Sequence, residues 1–148
     1  MSNEYPSTLI SNLIASLDLN DYEDIPTGKL VLLDPKTKAP TSSFIELASP
    51  EHESRKRIDL ARTRRLRAEF ANNGKIQQTD PIDDFNEETD YLVAATLGWN
   101  LTQGGQPLSF SASAARTLYE DPKKKWLRAQ ALDGLNKTQL FIKDSAKS

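Results

Sequence analysis

Residues 92–99 read Leu92-Val93-Ala94-Ala95-Thr96-Leu97-Gly98-Trp99, an uncharged run in a chain whose Asp, Glu, Lys and Arg make up 27% of all positions. A segment that apolar must be covered on most sides, so it constrains the fold more than any other stretch and is read as a helix at its axis. The helix is expected to start near Asn86 and to run through Tyr91, Leu92, Ala94 and Ala95 to Trp99. Gly98 either permits close packing near its end or marks a local kink. The core expected around it contains Leu92, Leu97, Trp99, Leu118 and Trp126.

The flanking segments follow from their punctuation. Leu9, Ile10, Leu13, Ile14 and Leu17 have the spacing of a helical stripe, which Asn20, Asp21 and Pro26 interrupt. Gly28-Lys29-Leu30-Val31-Leu32-Leu33 predicts a short strand ending at the turn pair Asp34-Pro35, with Phe44-Ile45-Glu46-Leu47 as its partner. Ser49-Pro50-Glu51 predicts a helix start, and Asn72-Asn73-Gly74 its stop, because Gly takes positive φ at a helix end without strain. Ser111 is expected to cap the next short helix, and Asp121-Pro122 to start another with Trp126, Leu127, Gln130, Ala131, Gly134 and Leu135 on its contact face. Phe141 and Ile142 are expected to dock the C-terminal end.

The resulting fold class is mainly α (α+β): a helical core with a short N-terminal two-stranded β element. Residues 1–27 form an N-terminal helical segment, 28–142 one domain, and 143–148 a flexible tail in this reading. At 148 residues the chain is long enough to bury a core without staples. With no Cys and one His, disulfides, thiolate chemistry and Cys-bearing zinc motifs are excluded, as is a histidine-rich metal site. No run approaches the ~18 apolar residues of a membrane span, and no signal-peptide pattern opens the chain, so the expected location is cytoplasmic.

Charge is distributed in blocks. Residues 1–49 sum to -4, 50–75 to +4, 76–115 to -6 and 116–148 to +4, for a net charge of -2. Such blocks can complement one another within a chain or between copies, and the near-neutral total gives little general attraction to nucleic acid. The basic block is the 50–70 helix, with Arg55, Lys56, Arg57, Arg62, Arg64, Arg65 and Arg67 around a narrow stripe of Ile58, Ala61, Leu66 and Phe70. It reads either as a solvated face whose Arg stems cover apolar neighbours or as a protein-binding surface, with Arg57, Arg64 and Arg65 as the partner-binding candidates. Nucleic-acid binding or regulation through the same helix is the alternative, disfavoured by the acidic flanks.

Catalytic motifs are missing from the sequence. Gly104-Gly105 lacks the Lys and the preceding strand of a phosphate loop, no GxSxG elbow occurs, and His52 has no Ser or Asp at a diagnostic spacing. Asp83, Asp84, Glu87, Glu88 and Asp90 do not follow the calcium-loop pattern, and acidic residues favour a helix N-terminus in any case. No catalytic, metal or cofactor residue is assigned, and no cofactor is expected.

One order of segments carries a family resemblance over about residues 28–142. A short β-like segment and Phe44-Ile45-Glu46-Leu47-Ala48-Ser49-Pro50-Glu51 lead into the Arg-rich helix, followed by the helix expected at Leu92–Trp99 and the turn Gly105-Gln106-Pro107-Leu108-Ser109-Phe110-Ser111; Arg116-Thr117-Leu118-Tyr119 and Trp126-Leu127-Arg128-Ala129-Gln130 complete it. This order resembles the tail assembly chaperones of long-tailed bacteriophages. The resemblance implies a helical, nonenzymatic protein of the host cytoplasm that binds the tape-measure protein, helps recruit tail-tube protein and is not retained in the mature virion. It also implies a frameshift-extended form of the chain as a further partner; self-association is allowed by the charge blocks, neither nucleic acid nor membrane is expected from charge and hydropathy, and a minor structural tail protein is the other possibility. The segment before Gly28 departs from the family pattern.

Overall fold

The computed structural model describes residues 16–75 and 80–144. In chain order it comprises β1 (Tyr22–Asp24), β2 (Thr27–Leu33), β3 (Pro40–Ala48), α1 (Glu53–Asn73) and α2 (Pro81–Ala95). There follow β4 (Thr96–Trp99), β5 (Thr102–Gln103), β6 (Gln106–Pro107), α3 (Ala112–Glu120), α4 (Lys125–Leu135) and β7 (Ile142–Asp144).

β2 and β3 pair antiparallel as their alternation predicts, with Leu30 opposite Ile45 and Gly28 opposite Leu47. The inward positions Leu30, Leu32, Ile45 and Leu47 are buried, while Lys29 and Val31 are exposed on the other face. Helix α4 lies across the inner face, and Gly134 lets it approach: a Cβ there would stand 2.7 Å from Leu30 Cδ2 and 3.0 Å from Leu47 Cδ1. Leu127, Ala131 and Leu135 of α4, Leu92 and Ala95 of α2, and Ala115, Leu118 and Tyr119 of α3 complete the core, with Phe141 closing one end.

The mainly-α expectation with β structure confined to the N-terminus is overturned. The fold is mixed α/β, with three separate sheets spread across the chain: β1-β7, β2-β3-β4 and β5-β6. The 92–99 run is the reason. Helix α2 begins earlier than expected, at Pro81 behind the cap Asp80, and stops at Ala95. Thr96 turns to φ -94°, ψ 121°, and the chain continues as a third strand that pairs Thr96 with Leu47, Gly98 with Glu46 and Trp99 with Ile45. β-Branched and aromatic side chains suit that pleated surface, and the free edge of β3 gains a ladder partner.

The burial expectations change accordingly. Leu92 and Leu118 are buried, but Leu97 and Trp99 are only half-buried, and Trp126 is 41% exposed. Trp99 instead donates from Nε1 to the Leu108 carbonyl at 2.7 Å and meets the Phe110 ring edge-on at 4.9 Å, which pins the β5-β6 hairpin. Gly104 and Gly105, at φ 61° and 78°, supply the two left-handed residues that a tight hairpin turn requires. The apolar stripe expected at Leu9, Ile10, Leu13 and Ile14 lies outside the described residues, as do residues 145–148 of the expected tail. Leu17 is exposed, and residues 143 and 144 belong to β7.

Candidate partner-binding surface

α1 starts where the chain leaves β3. His52 caps it, its Nδ1 accepting the Ser54 amide at 3.1 Å, and Gly74 closes it at φ 71°. Arg55 is the helix's one buried residue among those described. Its Nε donates to the Tyr91 hydroxyl at 2.8 Å, and its Nη1 donates to the carbonyls of Ala48 at 3.0 Å and Leu135 at 3.3 Å. The guanidinium thereby ties the end of β3 to the last carbonyls of α4, where the helix dipole is negative.

Beyond that anchor α1 leans on α2 through ion pairs. Arg62 and Arg65 reach Glu87 at 3.6 and 3.0 Å, while Asp59 accepts a 3.4 Å bond from Tyr91. Advancing along α1 from 55 to 65 retreats along α2 from 91 to 87, so the two helices run antiparallel. The -6 and +4 charge blocks therefore meet within one chain. Asp90 pairs with Arg116, and Glu88 with Arg128, by the same rule.

The three partner-binding candidates are not equivalent in this arrangement. Arg57 and Arg64, seven residues apart, share the outward face; Arg57 is held by Glu53 one turn back at 2.9 Å. Arg65 is turned inward onto Glu87 and so serves the α1-α2 contact. Arg64 and Arg67 are exposed and have no ion pair among the described residues. Interleaved with them are Leu60, 54% exposed, and Phe70, 60% exposed; Thr63, Leu66, Arg67, Phe70 and Ala71 line a shallow hollow.

Two clefts flank Arg55. One of about 550 Å³ has Ser49, Pro26, Leu135 and Phe141 in its wall, and the other, about 660 Å³, lies between α1, α2 and α4 with Asp59, Glu87, Glu88 and Tyr91. The described residues contain no group of three His, Asp or Glu side chains placed to hold a metal ion.

Sequence reasoning missed the buried arginines. Arg128 is 7% exposed and makes five bonds: Nε and Nη2 to Glu88 Oε1 at 3.1 and 2.8 Å, Nη1 to Thr89 Oγ1 at 2.8 Å and the Tyr119 carbonyl at 3.1 Å, and Nη2 to the Phe85 carbonyl at 3.2 Å. It shares a helix face with Ala131 and Leu135, as Arg55 does with Ile58, and that spacing was the available signal. Nearby, burial pushes the Tyr119 phenol up to about 12, against a 2.8 Å hydrogen bond with Thr96. The Lys123 amide and the Lys124 ammonium hold the Asp121 carboxyl below the usual carboxylate range.

No helix among the described residues is long and apolar enough to cross a membrane. No protein-family model, curated protein or solved structure matches the chain.

Proposed function

We propose that this protein is a tail assembly chaperone of a long-tailed bacteriophage, acting without enzymatic chemistry or a cofactor. It binds the tape-measure protein in the host cytoplasm, helps recruit tail-tube protein, and leaves before the virion is complete. The observation that carries the reading is α1. Its 21 residues would span roughly 31 Å, yet among them only Arg55 is buried, and its outward face mixes cations with Leu60 and Phe70. A helix presented in that way serves a partner better than it serves the core. The order of segments over residues 28–142 supplies the specific family.

Co-expression with a phage tape-measure protein tests the reading. Copurification of the pair is expected, together with loss of tails when this gene is disrupted; normal tails in a clean knockout would falsify it. Replacing Arg57, Arg64 and Arg65 together by Ser should leave the fold largely intact while weakening copurification.

The basic face also favours one second reading, a nucleic-acid binder. Phosphate contacts weaken steeply with salt, so a salt series against duplex DNA and single-stranded RNA separates the two, and no binding at low salt removes the second.

A further inference from the structure

We propose that the outward face of α1 docks an amphipathic helix whose apolar stripe is flanked by carboxylates, an inference that rests on the assembly-chaperone reading and specifies its partner. Leu60, Thr63, Arg67 and Phe70 follow one another at intervals of three and four residues, the spacing at which one helix packs along another. Leu60 and Phe70 are more than half exposed, and an open, mostly apolar hollow of about 320 Å³ lies around Phe70. The charges define the rest of the partner. Lys56, Arg57, Arg62 and Arg65 each have a carboxylate within 4 Å, at Glu51, Glu53, Glu87 and Glu87 respectively. Arg64 and Arg67 have none among the described residues, and they border the apolar positions. An incoming helix with Asp or Glu beside its apolar stripe satisfies both features at once.

Other occupants fit less well. A second copy packed α1 against α1 would set Arg64 and Arg67 against their own kind, while Glu87, Glu88 and Asp90 of α2 are already engaged by Arg62, Arg65, Arg128 and Arg116. The chain's own N-terminal stripe, Leu9 to Leu17, has only Glu4 among residues 1–17 to offer. A phosphate backbone would leave Leu60 and Phe70 without a role.

The test uses the full chain and a labelled synthetic peptide of about four heptads with Leu at a and d and Glu at e and g, beside a matched peptide with Lys at e and g. Fluorescence anisotropy should detect binding of the Glu peptide and not of the Lys peptide. The double variants Leu60→Ser with Phe70→Ser, and Arg64→Glu with Arg67→Glu, should each weaken binding by about tenfold or more, with unchanged circular dichroism. The charge-reversed pair should gain affinity for the Lys peptide. Equal binding of both peptides, or affinity indifferent to either double variant, overturns the proposal. So does binding of duplex DNA that depends on Arg64 and Arg67 but ignores Leu60 and Phe70. If the tape-measure protein still copurifies with both double variants, this face is not the site although the chaperone reading stands; failure of the unaltered chain to copurify removes the chaperone reading itself.

Discussion

Arg128→Met should destabilise the fold by about 3 kcal/mol, a figure built from what its guanidinium leaves behind. The Tyr119 carbonyl lies at the C-terminal end of α3 and takes its donor from Arg128. A buried acceptor stripped of its donor costs about 1–3 kcal/mol. Thr89 Oγ1 also loses a donor, whereas the Phe85 carbonyl keeps the Thr89 hydroxyl at 2.8 Å. Removing one partner of a fully buried ion pair costs about 3–5 kcal/mol, but Glu88 is 47% exposed and returns to water, so that side contributes at the surface level of about 1 kcal/mol or less. The guanidinium also stacks 3.9 Å from the centre of the Phe85 ring, a contact that Met replaces with an ordinary apolar one. Urea unfolding followed by the fluorescence of Trp99 and Trp126 reads the result. With a slope of about 2 kcal/mol per molar, the midpoint should fall by roughly 1.5 M. Arg128→Lys keeps the charge without the fork and should recover less than half of the loss, and Glu88→Gln should cost under about 1 kcal/mol. A Met variant within about 1 kcal/mol of the parent at unchanged slope refutes the view that this side chain clamps α2, α3 and α4 together.

Leu92→Ala, in the core, should cost about 3 kcal/mol, and Trp126→Ala, at 41% exposure, less than half as much; equal midpoint shifts in urea would show the burial pattern to be wrong. Gly28→Ala should destabilise by about 1–3 kcal/mol, because its Cβ would be driven into the Leu140 backbone carbonyl, and an unchanged thermal midpoint would deny that close approach. Tyr119 should ionise late, since its phenol is raised from 10.0 to about 12. The neutral form is the one the fold favours, so its contribution to stability is whole below pH 10 and is lost as pH rises toward 12. Phenolate absorbance should show a late step that Tyr119→Phe removes. Asp121 runs in the opposite direction. Its lowered pKa gives stability above the ordinary carboxylate range that is lost on acidification, and a carboxyl carbon titrating at or above 3.8 by NMR would contradict the Lys123 and Lys124 contacts.

Local punctuation was the most legible part of the fold. Ser111, Asp121 and Gly74 stand at the helix ends their chemistry indicates, and the β2-β3 pair follows from alternation. The 92–99 run misled because apolar residues that short satisfy a helix and a buried strand alike. What decides between them is the unpaired edge of β3, more than 45 residues earlier in the chain, and no local window contains it. The buried arginines were hidden for a related reason. A guanidinium reads as solvated until the carbonyls it serves are known, and those of Arg55 and Arg128 belong to other elements: Ala48 and Leu135 for one, Phe85 and Tyr119 for the other. For the candidate surface, the Arg-rich composition of α1 was visible, but the inward turn of Arg65 depended on where α2 lies.

The β1-β7 ribbon gives the molecule a mechanical polarity. Tyr22 faces Asp144, so the first residue of one strand sits beside the last residue of the other, and Asp24 faces Ile142 at the inner end. A pull applied through the segments that precede Tyr22 and follow Asp144 therefore loads the ribbon one pair at a time, as a zipper, rather than shearing all its bonds together. Three residue pairs, an exposed Lys143–Glu23 contact at 3.7 Å and the Ile25 amide on the Phe141 carbonyl at 2.9 Å resist that pull. The ribbon should yield at low force, and the load then passes to Gly28 and the strands of the central sheet, where hydrogen bonds and buried leucines resist extension together.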